Sequence, residues 1–315
     1  MKKAVVVGSL NMDVILRTDK LPQRGETKIA KGREIAGGGK GANQAIAMGR
    51  LGSEVTMIGK VGDDEFGYEL IEELKASGVN INGMLIDKHE KTGMAYITID
   101  KAGENIIVVA PGANAKLSIK DIEEKKAILL ESDIIVLQNE IPKEINSYVI
   151  DLIKRAGKRI VFNFAPAIEF GGNSLGKVDF LVLNETEMSH LAGKSYIEEQ
   201  IIEMLDEAIE LVRKKFLGEL LITLGSNGCI WIDKKGSVSK LNAFPVESVD
   251  STGSGDAFVG GFVSGLLIGK SMIDSIKFAN AAGALAVTKV GAQPSLPYKE
   301  EVENLLARHC FGRAF

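Results

Sequence analysis

The sequence predicts an α/β fold: a doubly wound, mostly parallel sheet flanked by helices, with a small β-sheet lid. Three observations predict it. Short β-branched apolar runs alternate with helical stretches along most of the 315 residues. Two stretches, 14–39 and 92–114, break that rhythm with alternating strands and Gly and Pro turns. No linker, repeat or low-complexity tract divides the chain. One α/β domain over 1–315 is therefore expected, with lid strands inserted at about 14–39 and 92–114.

Taken in order, "AVVVG" (4–8) is a β-branched run closed by glycine, a buried strand. "GANQAIAMGRLG" (41–52) has helical spacing and a closing glycine. "VTMIGKVG" (55–62) returns to strand, and "DEFGYELIEELKASGV" (64–79) is an amphipathic helix ending at Gly78. "DIIVLQ" (133–138), "RIVFNF" (159–164), "FLVLN" (180–184) and "LLITLG" (220–225) are four further strands, separated by helical stretches at 144–156, 186–192 and 199–216. That alternation means βαβ units. "IDKAGENII", inside the second excursion, reads as a hairpin around Gly103. An apolar run, Ala257 to Ile268, and an amphipathic "KEEVENLLARH" close the chain as helices.

Hydrophobic residues make up 45%, ordinary for a globular core. The net charge of −4 argues against a general nucleic-acid binder but not against a small anion held at one site. Cys229 and Cys310 are too few and too far apart for a disulfide framework or a CxxC metal site. The N-terminus reads as strand and turn rather than a signal peptide. The longest apolar run is too short to span a bilayer. A cytoplasmic protein with neither membrane nor nucleic-acid partner is expected.

Chemistry concentrates in a few motifs. In "VDSTGSGDAFVGGF" (249–262), Asp250 and Asp256 bracket a run of small residues just where a helix begins. If the helix starts near Gly255, its first N–H groups lack intrahelical partners and form an anion site. Phosphate is the natural guest, and Asp256 stands where it could accept a proton from an attacking alcohol. The alternative is that Ser254 caps the helix and Asp256 complements its dipole. In "GGGKGANQA" (37–45) glycines allow close backbone approach to a ligand, while Lys40 and Asn43 add donors. The spacing is not that of a Walker A loop. The alternative there is a glycine turn with a solvated Lys40. Asn11 and Asp13 follow the first strand, Glu140 follows the 133–138 strand, Asn184 ends its strand, and "TLGSNG" (223–228) ends another in a glycine turn. A polar, glycine-rich rim at the ends of several strands is what a switch-point crevice looks like in sequence.

The paired signatures "GGGKGANQA" and "DSTGSGDAFVGGF" resemble those of the ribokinase-like (PfkB) sugar and nucleoside kinases. "NMD" (11–13), "NET" (184–186), "TLGSNG" (223–228) and "GAQPS" (291–295) fall in the matching order. "QNEIP" (138–142) and "NFAPA" (163–167) also match, so the resemblance covers essentially the whole chain. It implies ATP-dependent transfer of phosphate to the 5-hydroxyl of D-ribose, with Asp256 as general base and Gly253, Ser254 and Gly255 as the anion hole. Asn11, Met12, Asp13, Gly38, Gly39, Lys40, Gly41, Ala42, Asn43 and Glu140 would line the sugar pocket together with Asp256. Asn184, Thr223, Leu224, Gly225, Ser226, Asn227, Gly228, Gly255 and Asn280 would contact ATP, which brings Mg²⁺. Asp250, Thr252, Ala286, Lys289, Gly291 and Ser295 would hold K⁺. The β excursions would form a lid that clasps a second copy into a homodimer. Two positions depart from the pattern: Ser251 stands where threonine is common, and Asn280 where some relatives carry histidine. Other readings are a kinase for deoxyribose, a nucleoside or a keto-deoxy sugar acid, a non-catalytic sugar-binding relative, or a structural protein. Asp13 disfavours an acid sugar by charge. The single aromatic of the excursions, Tyr96, disfavours a nucleoside. Intact Asp256 and glycines disfavour a non-catalytic relative, and the polar rim has no place in a purely structural protein.

Overall fold

A computed structural model describes residues 2–168, 170, 174–194 and 205–311. The chain opens with β1 (Lys3–Val7), β2 (Asn11–Arg17), β3 (Gly32–Gly38), α1 (Lys40–Arg50), β4 (Glu54–Gly62), α2 (Glu65–Ala76) and β5 (Asn80–Asp87). Next come β6 (Gly93–Ile99), β7 (Asn105–Ala110), α3 (Ile119–Glu124), α4 (Lys126–Glu131), β8 (Ile134–Gln138), α5 (Lys143–Arg155) and β9 (Arg159–Asn163). Then follow β10 (Phe180–Asn184), α6 (Glu185–Ala192), α7 (Leu205–Arg213), β11 (Glu219–Thr223), β12 (Cys229–Ile232) and β13 (Val238–Leu241). The last three are α8 (Ser254–Leu267), α9 (Met272–Ala286) and α10 (Lys299–Phe311).

The strands build two sheets. The larger runs β13-β12-β11-β10-β9-β8-β1-β4-β5 and is parallel from β11 through β5; β12 alone is antiparallel to both its neighbours. Order reverses beside β1, which pairs with both β4 and β8. Polar loops at the carboxyl ends of such strands make a crevice there. Successive side chains of each strand go to opposite faces. Ala4 and Val6 join one core cluster with α1, α2, α8 and α9, while Val5 and Val7 join the other with α5, α6 and α7. Burial on both faces explains the near-continuous apolar runs. The smaller sheet, β3-β2-β6-β7, has its own small core of Ile15, Ala95 and Ile97. Its β6–β7 hairpin turns at Gly103, φ +86°, as the sequence suggests.

Several expectations shift. Asn11 and Asp13, expected only to follow the first strand, open a second one, β2, paired with Gly38 and Ala36 of β3. Of the expected helix 199–216, α7 covers Leu205–Arg213, and 199–204 lie outside the described residues. α8 starts at Ser254, one residue before the glycine expected to open it. Six elements carried no signal strong enough to anticipate. β5 and β13 sit at the edges of the large sheet with mostly half-exposed residues, and α3 and α4 have six residues each. β12 has four residues. α9, rich in alanine and buried on most sides, lacks an amphipathic stripe. No helix among the described residues is long and apolar enough to cross a membrane.

Candidate functional site

A cleft of about 990 Å³ opens beyond the carboxyl ends of β9, β10 and β11 and is closed on its far side by α8 and α9. Lys40 and Asp256 mark its inner end. From there the polar residues continue toward the small sheet through Asn43, Asp13 and Glu140.

The glycines of 37–41 work mainly by letting the chain approach itself. A Cβ on Gly38 would lie 2.2 Å from Asp13 Oδ2, and one on Gly41 would lie 2.5 Å from Ser9 N. Gly39 has φ +85° and precedes α1, with its missing Cβ 2.7 Å from Asn11 N. Only glycine fits these positions without moving Asp13 or the 8–11 backbone. Glu140 Oε2 accepts from Lys40 N at 3.0 Å and from Ser9 Oγ at 2.6 Å. The carboxylate thus satisfies the first free N–H of α1 and complements its dipole. Asn114 Nδ2 donates to Asn11 Oδ1 at 2.8 Å and to Leu10 O at 2.9 Å, which fixes the start of β2. Met12 and Ala42 are packed in the core, so their side chains do not reach the rim as the sequence reading expected.

Asp256 sits in the first turn of α8 and is buried. Its Oδ2 accepts from Asn43 Nδ2 at 2.9 Å and its Oδ1 from Gln44 Nε2 at 2.9 Å. Asn43 Oδ1 is buried and has no protein partner among the described residues, which leaves an acceptor suited to a hydroxyl donor. Gly253 precedes the helix in the left-handed region, φ +77°. Ser254 does not cap it: its Oγ donates to Ser251 O at 2.8 Å. The first N–H groups of α8 are therefore without side-chain caps, Ser254 N donating only to Ser251 O at 3.2 Å, and Gly253, Ser254 and Gly255 line the cleft. A Cβ on Gly255 would meet nothing within 4 Å, so packing does not demand glycine there.

Four carboxylates share one cation. Burial pulls the Lys40 ammonium down, but Asp256, Glu140, Glu187 and Asp13 outweigh it and hold its pKa above the usual lysine value. Burial pushes the Asp256 carboxyl up, against Lys40 and its two amide partners. Burial also pushes Asp13 up to about 7, helped by Glu140 and Asp256 and opposed by Lys40. Lys40 is thus set among carboxylates while still half-exposed at the cleft.

Every residue expected at the nucleotide lines the cleft: Asn184, Thr223, Leu224, Gly225, Ser226, Asn227, Gly228, Gly255 and Asn280. Gly225 and Gly228 turn the chain with φ +49° and +90°. Asn280 Nδ2 donates to Asn242 O at 3.2 Å. Sequence reasoning missed Gln44, Glu187 and the apolar wall of Phe244 and Val246. Glu187 had a signal, for it completes a capping box with Asn184: its Oε2 accepts from Asn184 N at 2.8 Å.

Asp250 ties two loops. Its Oδ1 accepts from Thr252 N at 2.9 Å and Thr252 Oγ1 at 2.6 Å, and its Oδ2 from Gly291 N at 2.9 Å. Burial pushes Asp250 up, but those hydrogen bonds, with Arg17 nearby, hold its carboxyl below the usual range. The structure therefore brings 250–252 against the 286–295 segment. Ser295 is fully buried there.

A twisted parallel sheet, a second small sheet over its polar edge and an uncapped helix N-terminus beside a buried carboxylate define an α/β kinase of small molecules. The chain belongs to the pfkB family of carbohydrate kinases, whose family model matches residues 1–299. It is 35% identical to a ribokinase of Haemophilus influenzae over 305 residues, covering 97% of this chain and 98% of that one. It is 34% identical to a deoxyribokinase of Salmonella typhi over 303 residues, covering 96% and 98%. The structure of Arabidopsis thaliana ribokinase complexed with ribose and ATP is similar over 97% of this chain and 99% of that one, with a TM-score of 0.84 and 33% identity.

Proposed function

We propose that the protein transfers the γ-phosphoryl group of ATP to the 5-hydroxyl of D-ribose, giving ribose 5-phosphate and ADP. The observation that carries this reading is Asp256, a buried carboxylate gripped by two amides beside the uncapped start of α8. In that place it accepts the hydroxyl proton as oxygen attacks phosphorus, while the N–H groups at 253–255 stabilise the charge on the transferring group. Phosphoryl transfer needs positioning and charge stabilisation more than covalent help, and this site offers both. Asn11, Asp13, Lys40, Asn43 and Glu140 hold the sugar, with backbone groups of 38–42 beside them. Three carboxylates on that side would repel an acid sugar, which favours a neutral polyol.

ATP lies along the cleft from 223–228 to Gly255. Mg²⁺ would come with its phosphates and neutralise their charge; Glu185 and Glu187 are carboxylates on that wall. K⁺ would be held by Asp250 and backbone oxygens of Thr252, Ala286, Lys289 and Gly291, with Ser295. The donor set fits: all oxygen, with one carboxylate for a singly charged ion. The small sheet acts as a lid and pairs with a second copy. Its edge strand β7 supports this, exposing Ile107 at 53% and Val108 at 61% of their surface. The reading keeps the protein in the cytoplasm, where ATP is available, and treats 1–315 as one catalytic domain.

Deoxyribose is the second reading, favoured by the 34% identity to a deoxyribokinase. ADP release with ATP and a panel of ribose, deoxyribose, nucleosides and a keto-deoxy sugar acid decides. Ribose gives the highest kcat/KM under the first reading. Preference for deoxyribose supports the second, and preference for a nucleoside or an acid sugar overturns both.

A further inference from the structure

The grip on Asp256 is itself held from behind. Gln44 is fully buried and does not line the cleft, yet its Nε2 donates to Asp256 Oδ1 at 2.9 Å. The same nitrogen donates to Asn163 Oδ1 at 3.0 Å, and Gln44 Oε1 accepts from Gln138 Nε2 at 2.7 Å. Gln138 and Asn163 are the last residues of adjacent parallel strands β8 and β9 and stand in register. The Asn163 side chain is oriented from further away, and the backbone end that carries Gln138 is anchored. Asn163 Nδ2 donates to Val182 O at 3.2 Å, which turns its Oδ1 toward Gln44. Asn146 Nδ2 donates to Gln138 O at 2.8 Å, which anchors the end of β8. Gly8 makes room for the Gln138 amide: a Cβ there would lie 2.1 Å from Gln138 Oε1.

An amide can present either its carbonyl or its NH₂ to a neighbour. Asn163, with its Nδ2 committed to Val182 O, can only accept from Gln44, so Gln44 turns its NH₂ toward Asn163 and its Oε1 toward Gln138 Nε2. That orientation points the NH₂ at the carboxylate. We infer that Gln44 is a positioning residue for Asp256, locked by the strand-end amides of Gln138 and Asn163 so that its N–H holds Asp256 Oδ1 while the base accepts a proton. This rests on the reading of Asp256 as the base.

The consequence is a pH signature. A donor to the ionised carboxylate favours that form, and its removal raises the pKa. The charged groups facing Asp256 are Lys40 on α1, Asp13 on β2, Glu140 beyond β8 and Glu187 on α6. Replacing one neutral amide leaves these charges in place. Turnover needs ionised Asp256, so its acid limb moves to higher pH when the donor is lost.

The test is the pH profile of kcat, with KM for ribose, in Gln44→Met and Gln138→Met, both checked for folding by thermal melting. Gln44→Met should raise the acid limb by about one pH unit, so that kcat on that limb falls by about tenfold while the plateau changes less, the scale of one hydrogen bond to a charged group. The ribose KM should stay within about threefold, because Gln44 touches no substrate. Gln138→Met, which never contacts Asp256, should shift the limb the same way by less, and it carries the test alone if Gln44→Met does not fold. An unmoved limb in the folded variants, even with lower kcat, overturns the inference. Asp256→Asn run alongside separates the two claims: if it loses turnover while the limb stays put, only the role of Gln44 falls; if it keeps turnover, both fall.

Discussion

Asp13 shows how much one side chain can reveal. It is buried beside Glu140 and Asp256, with a carboxyl pushed up to about 7 from an ordinary 3.8. The folded chain therefore keeps a proton that the unfolded chain releases. Stability from this group is present in acid and lost as pH rises through the window from about 4 to 7. Asp13→Asn has no such proton to lose. Thermal melts of the ligand-free protein at about pH 4 and about pH 8 should show the variant gaining on the parent at the higher pH; an equal difference at both would contradict the assignment. The same residue carries a binding prediction. A buried carboxylate that accepts from sugar hydroxyls is costly to leave unpaired. Asp13→Ala should weaken ribose binding by about a hundredfold or more, the cost of roughly 3 kcal/mol. ATP binding should stay nearly intact. Calorimetric titration of both ligands checks it, and equal losses would make Asp13 a structural residue.

At the scale of elements, α8 separates packing from function through two glycines. Gly253 needs its residue type: φ is +77°, and a Cβ would lie 3.1 Å from Ala292 Cα. Gly255 does not, because a Cβ there meets open space. Gly255→Ala should leave stability equal or raise it by about 0.5 kcal/mol, as alanine does in a helix. It should still cut turnover severely, since the new methyl stands where the transferring phosphoryl group approaches the N–H groups. Melting temperature and kcat measured together decide; unchanged turnover would remove Gly255 from the anion site. The central strands and helices such as α2 and α5 are legible because buried parallel strands read as β-branched runs and those helices carry one apolar stripe. Asp256 and Lys40 were legible as charges set among glycines. Gln138 and Asn163 are not, since an amide at the end of an apolar strand looks like the beginning of any loop, and Gln44 is not, since an amide inside a helix such as α1 looks like any polar surface residue. That Asn11 and Asp13 lie inside a strand is not legible, because nothing local shows that β2 starts so soon after β1 ends. α9 stayed hidden because a helix buried on most sides has no amphipathic period.

On the scale of the whole molecule, remote segments meet at two points. Asp250 joins the loop before α8 to Gly291, forty-one residues on. If K⁺ sits between them, activity at fixed ionic strength should rise with K⁺ and less with Na⁺. Asp250→Ala should fold, lose that activation and lose most turnover. Indifference of the parent enzyme to K⁺ after dialysis would leave Asp250 as a loop tie alone. The exposed face of β7 makes a second claim: Val108→Glu should turn a dimer into a monomer in sedimentation, and a monomeric parent would refute the pairing. The central claim is that α1, β2 and α8 converge on Asp256 as the base for phosphoryl transfer. The most direct measurement compares binding and turnover in Asp256→Asn. Ribose and ATP affinities should stay near those of the parent, with kcat lower by about 10²-fold or more. Turnover near the parental value would contradict it.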